Sequence, residues 1–231
     1  MTNQEDIAHS ISQVRNKIED AARETSKLPD NISLCAVSKT FPIGTIQAAI
    51  AAGQRVFGEN RVQEAEVKWP NLKKEWPDIE LHLIGPLQTN KVRKAVSLFD
   101  VIQTVDREKL ARTLAKEMTI SGRQLPCYVQ VNTGGEPQKA GLTPSDVNSF
   151  VTLCREEIGL KIVGLMCIPP YGEEPSTHFA LLQDMADQLK LPDLSMGMSA
   201  DYPIAVQFGA TVVRVGSAIF GARTPINVAE G

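Results

Sequence analysis

The sequence predicts an α/β fold, and within that class a (β/α)8 TIM-type barrel, from three observations. Eight short apolar runs alternate with longer segments of helical periodicity, which indicates parallel strands joined by helical crossovers. The number and short spacing of these units favour a closed barrel. An open doubly wound sheet is the alternative, but no GxGxxG follows the first strand and no GxxxxGK[ST] is present, which weakens it. We expect one domain over residues 1–231, with an extra N-terminal helix at 1–28 and a loose tail at 224–231.

The first element is an amphipathic helix. Its apolar residues recur at spacings of three and four and form one stripe: Ile7, Ile11, Val14, Ile18 and Ala22. Leu28-Pro29-Asp30 ends this helix. The runs that predict strands are Leu34–Val37, Arg55–Phe57, Leu81–Ile84, Val101–Thr104, Cys127–Val131, Ile162–Met166, Leu194–Met196 and Val212–Val215. The segments that predict helices between them include Ile43–Ala52, Val62–Trp69, Arg107–Met118, Ser145–Glu157 and Thr177–Leu189.

Composition argues against several classes of protein. The net charge of −3 and the aromatic content of 5% supply neither a basic field nor a base-stacking surface, so we expect no nucleic-acid partner. No apolar run is long enough to span a bilayer, and the N-terminus lacks the pattern of a secretory signal, so no membrane partner is expected. The four cysteines form no CxxC pair, which favours a reduced, cytoplasmic location.

In a parallel barrel, chemistry gathers where the strands end. Polar residues and glycines follow many of the predicted strands: Ser38-Lys39-Thr40, Gly58-Glu59-Asn60, Gly85-Pro86-Leu87-Gln88, Asn132-Thr133-Gly134-Gly135, Gly197-Met198-Ser199 and Gly216-Ser217. Barrels without a cofactor have such rings as well. The function therefore has to be inferred from the individual residues at these strand ends.

Lys39 closes an apolar strand, and alternation puts it on the same face as Cys35 and Val37. If that face points into the barrel, the amine lies at the mouth. A partly desolvated lysine has a lowered pKa and can attack an aldehyde to form a Schiff base. The alternative is an ordinary solvated lysine at a strand end.

The last strand carries the stronger signal, in the run V-V-R-V-G-S-A-I-F-G-A-R at 212–223. Barrels often bind phosphate through their final loops and a short extra helix. Gly216 would let the backbone approach an anion closely, and Ser217 would supply a hydroxyl and an N–H group. Gly197-Met198-Ser199 could complete the site. The alternative is two glycine turns with no ligand.

Arg214 interrupts a strand that should be apolar on both faces. A buried guanidinium needs an acceptor, which is either a ring nitrogen of a ligand or a carboxylate such as Glu59. His9, His82 and His178 have no metal-ligand spacing, so no metal site is expected. Acidic residues in the predicted helices are interpreted as solvated faces: Glu64, Glu66, Asp184 and Asp187.

Several motifs in fixed order resemble the pyridoxal phosphate homeostasis protein family, which is related to the N-terminal barrel of alanine racemases. The matching stretches are A-V-S-K-T at 36–40, F-G-E-N at 57–60, V-Q-E at 62–64, H-L-I-G-P-L-Q-T-N-K at 82–91, Q-V-N at 130–132, L-S-M-G-M-S-A-D at 194–201 and V-R-V-G-S-A-I-F-G at 213–221. Two positions depart from the commoner pattern. Arg61 stands where a tyrosine is frequent, and Gly134 stands where a serine is frequent.

The resemblance implies a monomeric barrel that carries pyridoxal 5'-phosphate (PLP) as a Schiff base on Lys39. It further implies that Ser199, Gly216 and Ser217 hold the phosphate, that Arg214 faces the pyridine nitrogen, and that Asn60 lies against the cofactor. The family's role is to keep free PLP low and to buffer or supply it, with PLP-dependent apo-enzymes as candidate recipients and with no established turnover.

Two other functions stay open. One is an amino-acid racemase or another PLP-dependent enzyme, and the other is a regulatory protein that uses PLP occupancy as a switch. In related racemases the second base is a tyrosine from a separate domain, which we do not expect here. Among this chain's tyrosines, Tyr202 is expected nearest to the mouth because it follows the Ser199-Ala200-Asp201 turn.

Overall fold

The computed structural model describes residues 4–25 and 32–221. Within these ranges, eight parallel strands close a barrel in sequential order, and β8 pairs with β1. The strands are β1 (Ser33–Val37), β2 (Val56–Glu59), β3 (Glu80–Leu83), β4 (Val101–Val105), β5 (Cys127–Val131), β6 (Ile162–Cys167), β7 (Asp193–Ser195) and β8 (Val212–Val215). The (β/α)8 TIM-type barrel is therefore confirmed, and each predicted apolar run overlaps one strand.

Helices surround the barrel. They are α1 (Gln4–Glu24), α2 (Ile43–Ala51), α3 (Val62–Glu75), α4 (Val92–Leu98), α5 (Glu108–Ser121), α6 (Val147–Thr152), α7 (Pro175–Gln188), α8 (Tyr202–Gln207) and α9 (Ser217–Phe220). The predicted apolar stripe of α1 is buried along its whole length, and this helix packs against α2, α8 and α9. The predicted stop at Leu28-Pro29-Asp30 and the tail at 224–231 lie outside the described residues.

Some helix boundaries differ from the prediction. The helix predicted at Val62–Trp69 continues to Glu75, although Pro70 lies inside it. Pro70 is exposed, whereas the neighbouring Trp69 and Leu72 are buried, and this burial offsets the hydrogen bond that a proline cannot make. Helices α4 and α8 are not among the helices predicted from the sequence. Each spans only two turns or fewer, which is too short for helical periodicity to stand out.

Side-chain alternation divides the core into two parts. One cluster comes from nearly every strand and fills the barrel itself: Cys35, Val37, Ile84, Val101, Tyr128, Met166 and Val212. A larger cluster packs the outer faces of the strands against the helices. Because alternate residues of a strand share a face, Lys39 and Arg214 continue the interior faces of β1 and β8. The barrel therefore directs both residues towards its interior and mouth.

The four cysteines are buried and form no disulfide. Burial raises the pKa of the Cys35 and Cys167 thiols to about 12, so both are small apolar side chains rather than nucleophiles. Among the described helices, none combines the length and the apolar character needed to cross a membrane.

Candidate functional site

Lys39 lies in the tight turn that follows β1. Its neighbour Thr40 has a φ of 68°, a left-handed conformation that a residue other than glycine adopts only where the surroundings hold it. Lys39 is half-buried, and it lines a small cavity together with Gly216 and Ser217. The structure thus brings the predicted amine and the predicted phosphate-binding turn to one place, although Gly216 lies 177 positions after Lys39 in the sequence.

A buried carboxylate lies beneath this turn. Glu59 is fully buried, and its Oε1 accepts hydrogen bonds from the Ser38 hydroxyl at 2.8 Å and from the Trp69 indole at 3.1 Å. The Lys68 ammonium is 2.7 Å from the same oxygen. Burial raises the pKa of Glu59, and the charge of Lys68 opposes that rise. The end of β1 is therefore fixed to β2 and α3 through one carboxylate.

Lys68 extends the network to the Lys39–Thr40 turn. Its Nζ donates to the Ser38 carbonyl at 3.0 Å and to Glu64 at 2.7 Å, and Glu64 accepts the Thr40 N–H at 2.5 Å. Although burial opposes the effect, these bonds from Lys68 and Thr40 hold the pKa of Glu64 below its usual value. The interpretation of Glu64 as a solvated acid is wrong, because its side chain fastens the turn that carries Lys39. Asp184 and Asp187 are exposed, as expected.

Ser199 joins the turns that follow β7 and β8. Its Oγ accepts the N–H groups of Gly216 at 3.2 Å and Ala218 at 3.3 Å. Gly197 has a φ of 89°, and a Cβ there would lie 2.5 Å from the Cβ of Ala205, so the close approach of this turn to α8 requires glycine. Ser199, Gly216 and Ser217 therefore lie together, and the hydroxyls of Ser199 and Ser217 can donate to the oxygens of an anion.

Asn60 directly follows β2, on the face that Val56 and Gly58 share by alternation. It is half-buried, and its backbone is held from the β3 side. A Cβ at Gly85 would lie 2.3 Å from the Asn60 carbonyl oxygen. Only a glycine at position 85 therefore permits the observed position of Asn60.

Arg214 is buried, with 4% of its surface exposed. It donates to the Ser195 hydroxyl at 2.7 Å and to the Cys167 carbonyl at 2.8 Å. The alternative ion pair with Glu59 is not made, because Glu59 pairs with Lys68. In the described part of the chain, the ion pairs do not include Arg214. Burial lowers its pKa, yet a guanidinium stays charged in proteins.

A buried cation without a carboxylate is costly. A guanidinium has five N–H donors, and the contacts with Ser195 and Cys167 use two of them. Arg214 can therefore donate to a further acceptor from the barrel interior, and a ligand with a ring nitrogen or an anionic group would meet this need.

The tyrosines do not supply an acid or base beside Lys39. Tyr202 follows the Ser199-Ala200-Asp201 turn, but its side chain is buried in the outer core, because α8 begins at this residue and turns it onto its buried face. Tyr128 lies in the barrel interior, and burial raises its pKa. Tyr171 is fully exposed.

The remaining expectations concern a metal site and the positions Gly134 and Arg61. Over residues 4–25 and 32–221, no cluster of His, Cys, Asp and Glu could hold a metal ion. Gly134 lies against Pro170, and a Cβ there would be 2.1 Å from Pro170 Cγ, so this backbone leaves no room for a serine side chain at position 134. Arg61 is exposed at the start of α3.

The sequence analysis missed Lys68 and Ser195 as supporting residues. The spacing of Glu64 and Lys68, four residues apart on one helix, was a usable signal. A serine inside a strand gives no comparable signal, because its partner Arg214 is known only once the barrel closes.

Comparison with known proteins places the chain among its relatives. The family model for the alanine racemase N-terminal domain matches residues 9–224. The pyridoxal phosphate homeostasis protein of Pseudomonas aeruginosa is 40% identical over 224 residues, which cover 94% of this chain and 96% of the relative. The protein of the same name from Haemophilus influenzae is 38% identical over 227 residues, with coverage of 94% and 96%.

Solved structures of related proteins have the same fold as this chain. PipY of Synechococcus elongatus, solved without PLP, is 40% identical with a TM-score of 0.83, and the match covers 93% of this chain and all of PipY. The same protein with PLP bound gives a TM-score of 0.80. An alanine racemase of Clostridium difficile shares the fold at 13% identity and a TM-score of 0.71, and this chain covers 58% of its length. The chain therefore belongs to the pyridoxal phosphate homeostasis protein family, built on the barrel of the alanine racemase N-terminal domain.

Proposed function

We propose that this protein binds PLP at the mouth of the barrel, with Lys39 as the covalent anchor, and that it buffers and supplies the cofactor. The observation that carries the proposal is the meeting of Lys39 with Gly216 and Ser217 around one cavity. An amine beside a set of anion donors suits a ligand that bears both an aldehyde and a phosphate. The names of the relatives and the PLP complex of PipY support the same reading.

The other groups at the mouth fit the rest of this ligand. Ser199, Gly216 and Ser217 would hold the phosphate, because hydroxyls and backbone N–H groups make strong bonds to ionised oxygens. Arg214 would donate to the pyridine nitrogen from the barrel interior, and Asn60 would lie along the ring. When bound, PLP supplies an aldehyde that reacts reversibly with amines and a ring that withdraws electrons.

Arg214 also bears on the choice between a carrier and an enzyme. An arginine only donates hydrogen bonds and keeps its proton, so it favours an unprotonated ring nitrogen and a weaker electron sink. Racemisation further needs an acid or base on each face of the reacting carbon. Lys39 can serve one face, whereas Tyr128 lines the cavity at the floor of the barrel and the Tyr202 side chain is buried in the outer core. Because an arginine also faces the ring nitrogen in related racemases, the missing second base is the feature that best supports a non-catalytic role.

We further propose that the protein acts as a cytoplasmic monomer and that its recipients are PLP-dependent apo-enzymes. To supply PLP, the protein would have to release it from Lys39. A lysine imine permits this release, because water or another amine reverses its formation. The supporting features are the reduced, buried cysteines and the exposure of Ser217 at the mouth.

Two measurements test this function. In the first, the apo-protein is titrated with PLP and followed by absorbance, and we expect one equivalent to produce a visible band that borohydride removes. In the second, the loaded protein is mixed with an apo-form of a PLP enzyme, and recovery of that enzyme's activity is followed with and without pyridoxal phosphatase to remove free PLP. Failure to bind PLP would contradict the proposal, and binding without transfer would leave a buffer but exclude a supplier.

A further inference from the structure

A chain of hydrogen bonds crosses the barrel interior from Arg214 to the opposite face. Arg214 bonds to Ser195 on β7 at 2.7 Å, and Ser195 bonds to Gln103 on β4 at 2.6 Å. Gln103 is 2.7 Å from Nδ1 of His82 on β3. The remaining His82 nitrogen, Nε2, is 2.5 Å from the carboxylate of Glu80. Four contacts thus connect strands β8, β7, β4 and β3.

Arg214, the first residue of this hydrogen-bond chain, decides which group donates in each of the following bonds. Arg214 can only donate, so Ser195 accepts from it and gives its own proton to Gln103 Oε1. The Gln103 amide nitrogen is also only a donor, so Nδ1 of His82 must accept. The proton of His82 then lies on Nε2 and is donated to Glu80. Every bond then points from the mouth to the floor, with a proton on Nε2 of His82 and none on Nδ1.

The residues of this hydrogen-bond chain are buried, and only the last of them is exposed to solvent. Ser195 and Gln103 are fully buried, and His82 is 2% exposed. The Glu80 side chain is 51% exposed, and it lines a cavity of about 430 Å³ at the floor of the barrel with His82, Tyr128 and Asp193. The hydrogen bond from His82 lowers the pKa of Glu80, so this carboxyl is ionised at neutral pH and completes the chain as an acceptor.

We propose that Ser195, Gln103, His82 and Glu80 are positioning residues for Arg214, and that they couple the cofactor site to the floor of the barrel. The proposal rests on the proposed contact of Arg214 with PLP. Removing the Gln103 acceptor frees the Ser195 hydroxyl to rotate, and a rotated Ser195 no longer holds its oxygen in place for the guanidinium of Arg214. Coupling is reciprocal, so PLP bound at the mouth must also be sensed at His82.

The first test needs no cofactor. In apo-protein labelled with 15N-histidine, the His82 signals, assigned by their loss in His82→Gln, should show a protonated Nε2 and an unprotonated Nδ1. In Gln103→Glu, a carboxylate replaces the amide donor and accepts from Nδ1, so we expect His82 to become doubly protonated. An Nδ1–H tautomer or a mixture in the parent protein, or unchanged His82 signals in Gln103→Glu, would overturn the inference.

The second test measures coupling to the mouth. PLP should shift the His82 nitrogen signals of the parent protein, and Gln103→Met should weaken PLP binding roughly three- to ten-fold, the effect of one hydrogen bond. Gln54→Met is the matched control, because Gln54 is a buried glutamine that bonds instead to the carbonyls of Leu34 and Val56. It should lose stability and keep PLP affinity.

The outcomes separate the two proposals. Equal PLP affinity in Gln103→Met and the parent, with both folded, contradicts the positioning role while PLP binding stands. Absence of PLP binding in the parent contradicts the proposed function. The tautomer of His82 still decides whether the hydrogen-bond chain from Arg214 to Glu80 exists. If Gln103→Met does not fold, Ser195→Ala provides the same affinity comparison from the next link.

Discussion

The Ser199 hydroxyl accepts the N–H group of Gly216 at 3.2 Å, which ties the turn after β7 to the turn after β8. Both turns belong to the proposed phosphate site. The backbone of Gly216 has a φ of −115°, and a Cβ there would lie 3.4 Å from Val37, an ordinary contact. The protein itself therefore tolerates a side chain at this position, and any need for glycine must come from the ligand.

Gly216→Ala should consequently fold normally but weaken PLP binding about ten-fold or more, because the methyl group keeps the phosphate from the backbone amides and each charge-assisted hydrogen bond is worth roughly 1.5–3 kcal/mol. Binding of pyridoxal, which lacks the phosphate, should be much weaker in the parent and nearly unchanged by the substitution. Fluorescence titration measures both. Gly44→Ala, with open space around its Cβ, is the control and should bind PLP like the parent. Equal loss of affinity for the two ligands would place Gly216 away from the phosphate.

Lys68 should contribute strongly to stability. Lys68→Met would leave Glu59 buried without its cation, which costs about 3–5 kcal/mol of unfolding free energy. The control is Lys94→Met, because Lys94 pairs with Glu66 at 2.8 Å on the surface, with side-chain exposures of 55% and 32%, and such pairs contribute about 0–1 kcal/mol. Urea denaturation followed by circular dichroism measures the difference. Similar losses in the two variants would show that the buried network is not needed.

The strands can be predicted from the sequence, whereas the hydrogen bonds that support Lys39 and Arg214 cannot. Apolar runs such as Val212–Val215 carry the strand signal locally, and the polar residues after them, including Lys39 and Ser199, could be placed at one end of the barrel. Partners such as Ser195 for Arg214 lie on different strands, so only closure of the barrel defines them. The burial of the Tyr202 side chain could not be predicted either, because the short helix α8 that turns it into the outer core shows too little periodicity.

Racemisation should be absent. With L-alanine or L-serine, we expect no chiral inversion above that of free PLP, because the buried Tyr202 is no second base beside Lys39 and Arg214 disfavours a protonated ring nitrogen. Chiral chromatography of the products after long incubation makes the measurement. An inversion rate that scales with protein concentration and disappears in Lys39→Ala would identify an enzyme instead. A Tyr202→Phe variant, expected to leave the result unchanged, is the control for the tyrosine that follows the Ser199-Ala200-Asp201 turn.

The central claim is that Lys39 carries the cofactor, and peptide mapping tests it most directly. The protein is loaded with PLP, reduced with borohydride, digested and analysed by mass spectrometry, beside Lys39→Ala and the surface control Lys94→Ala. We expect the phosphopyridoxyl mass on Lys39 in the parent and in Lys94→Ala, and no stoichiometric adduct in a folded Lys39→Ala. A stoichiometric adduct on another lysine in the parent, with Lys39 unmodified, would contradict the account.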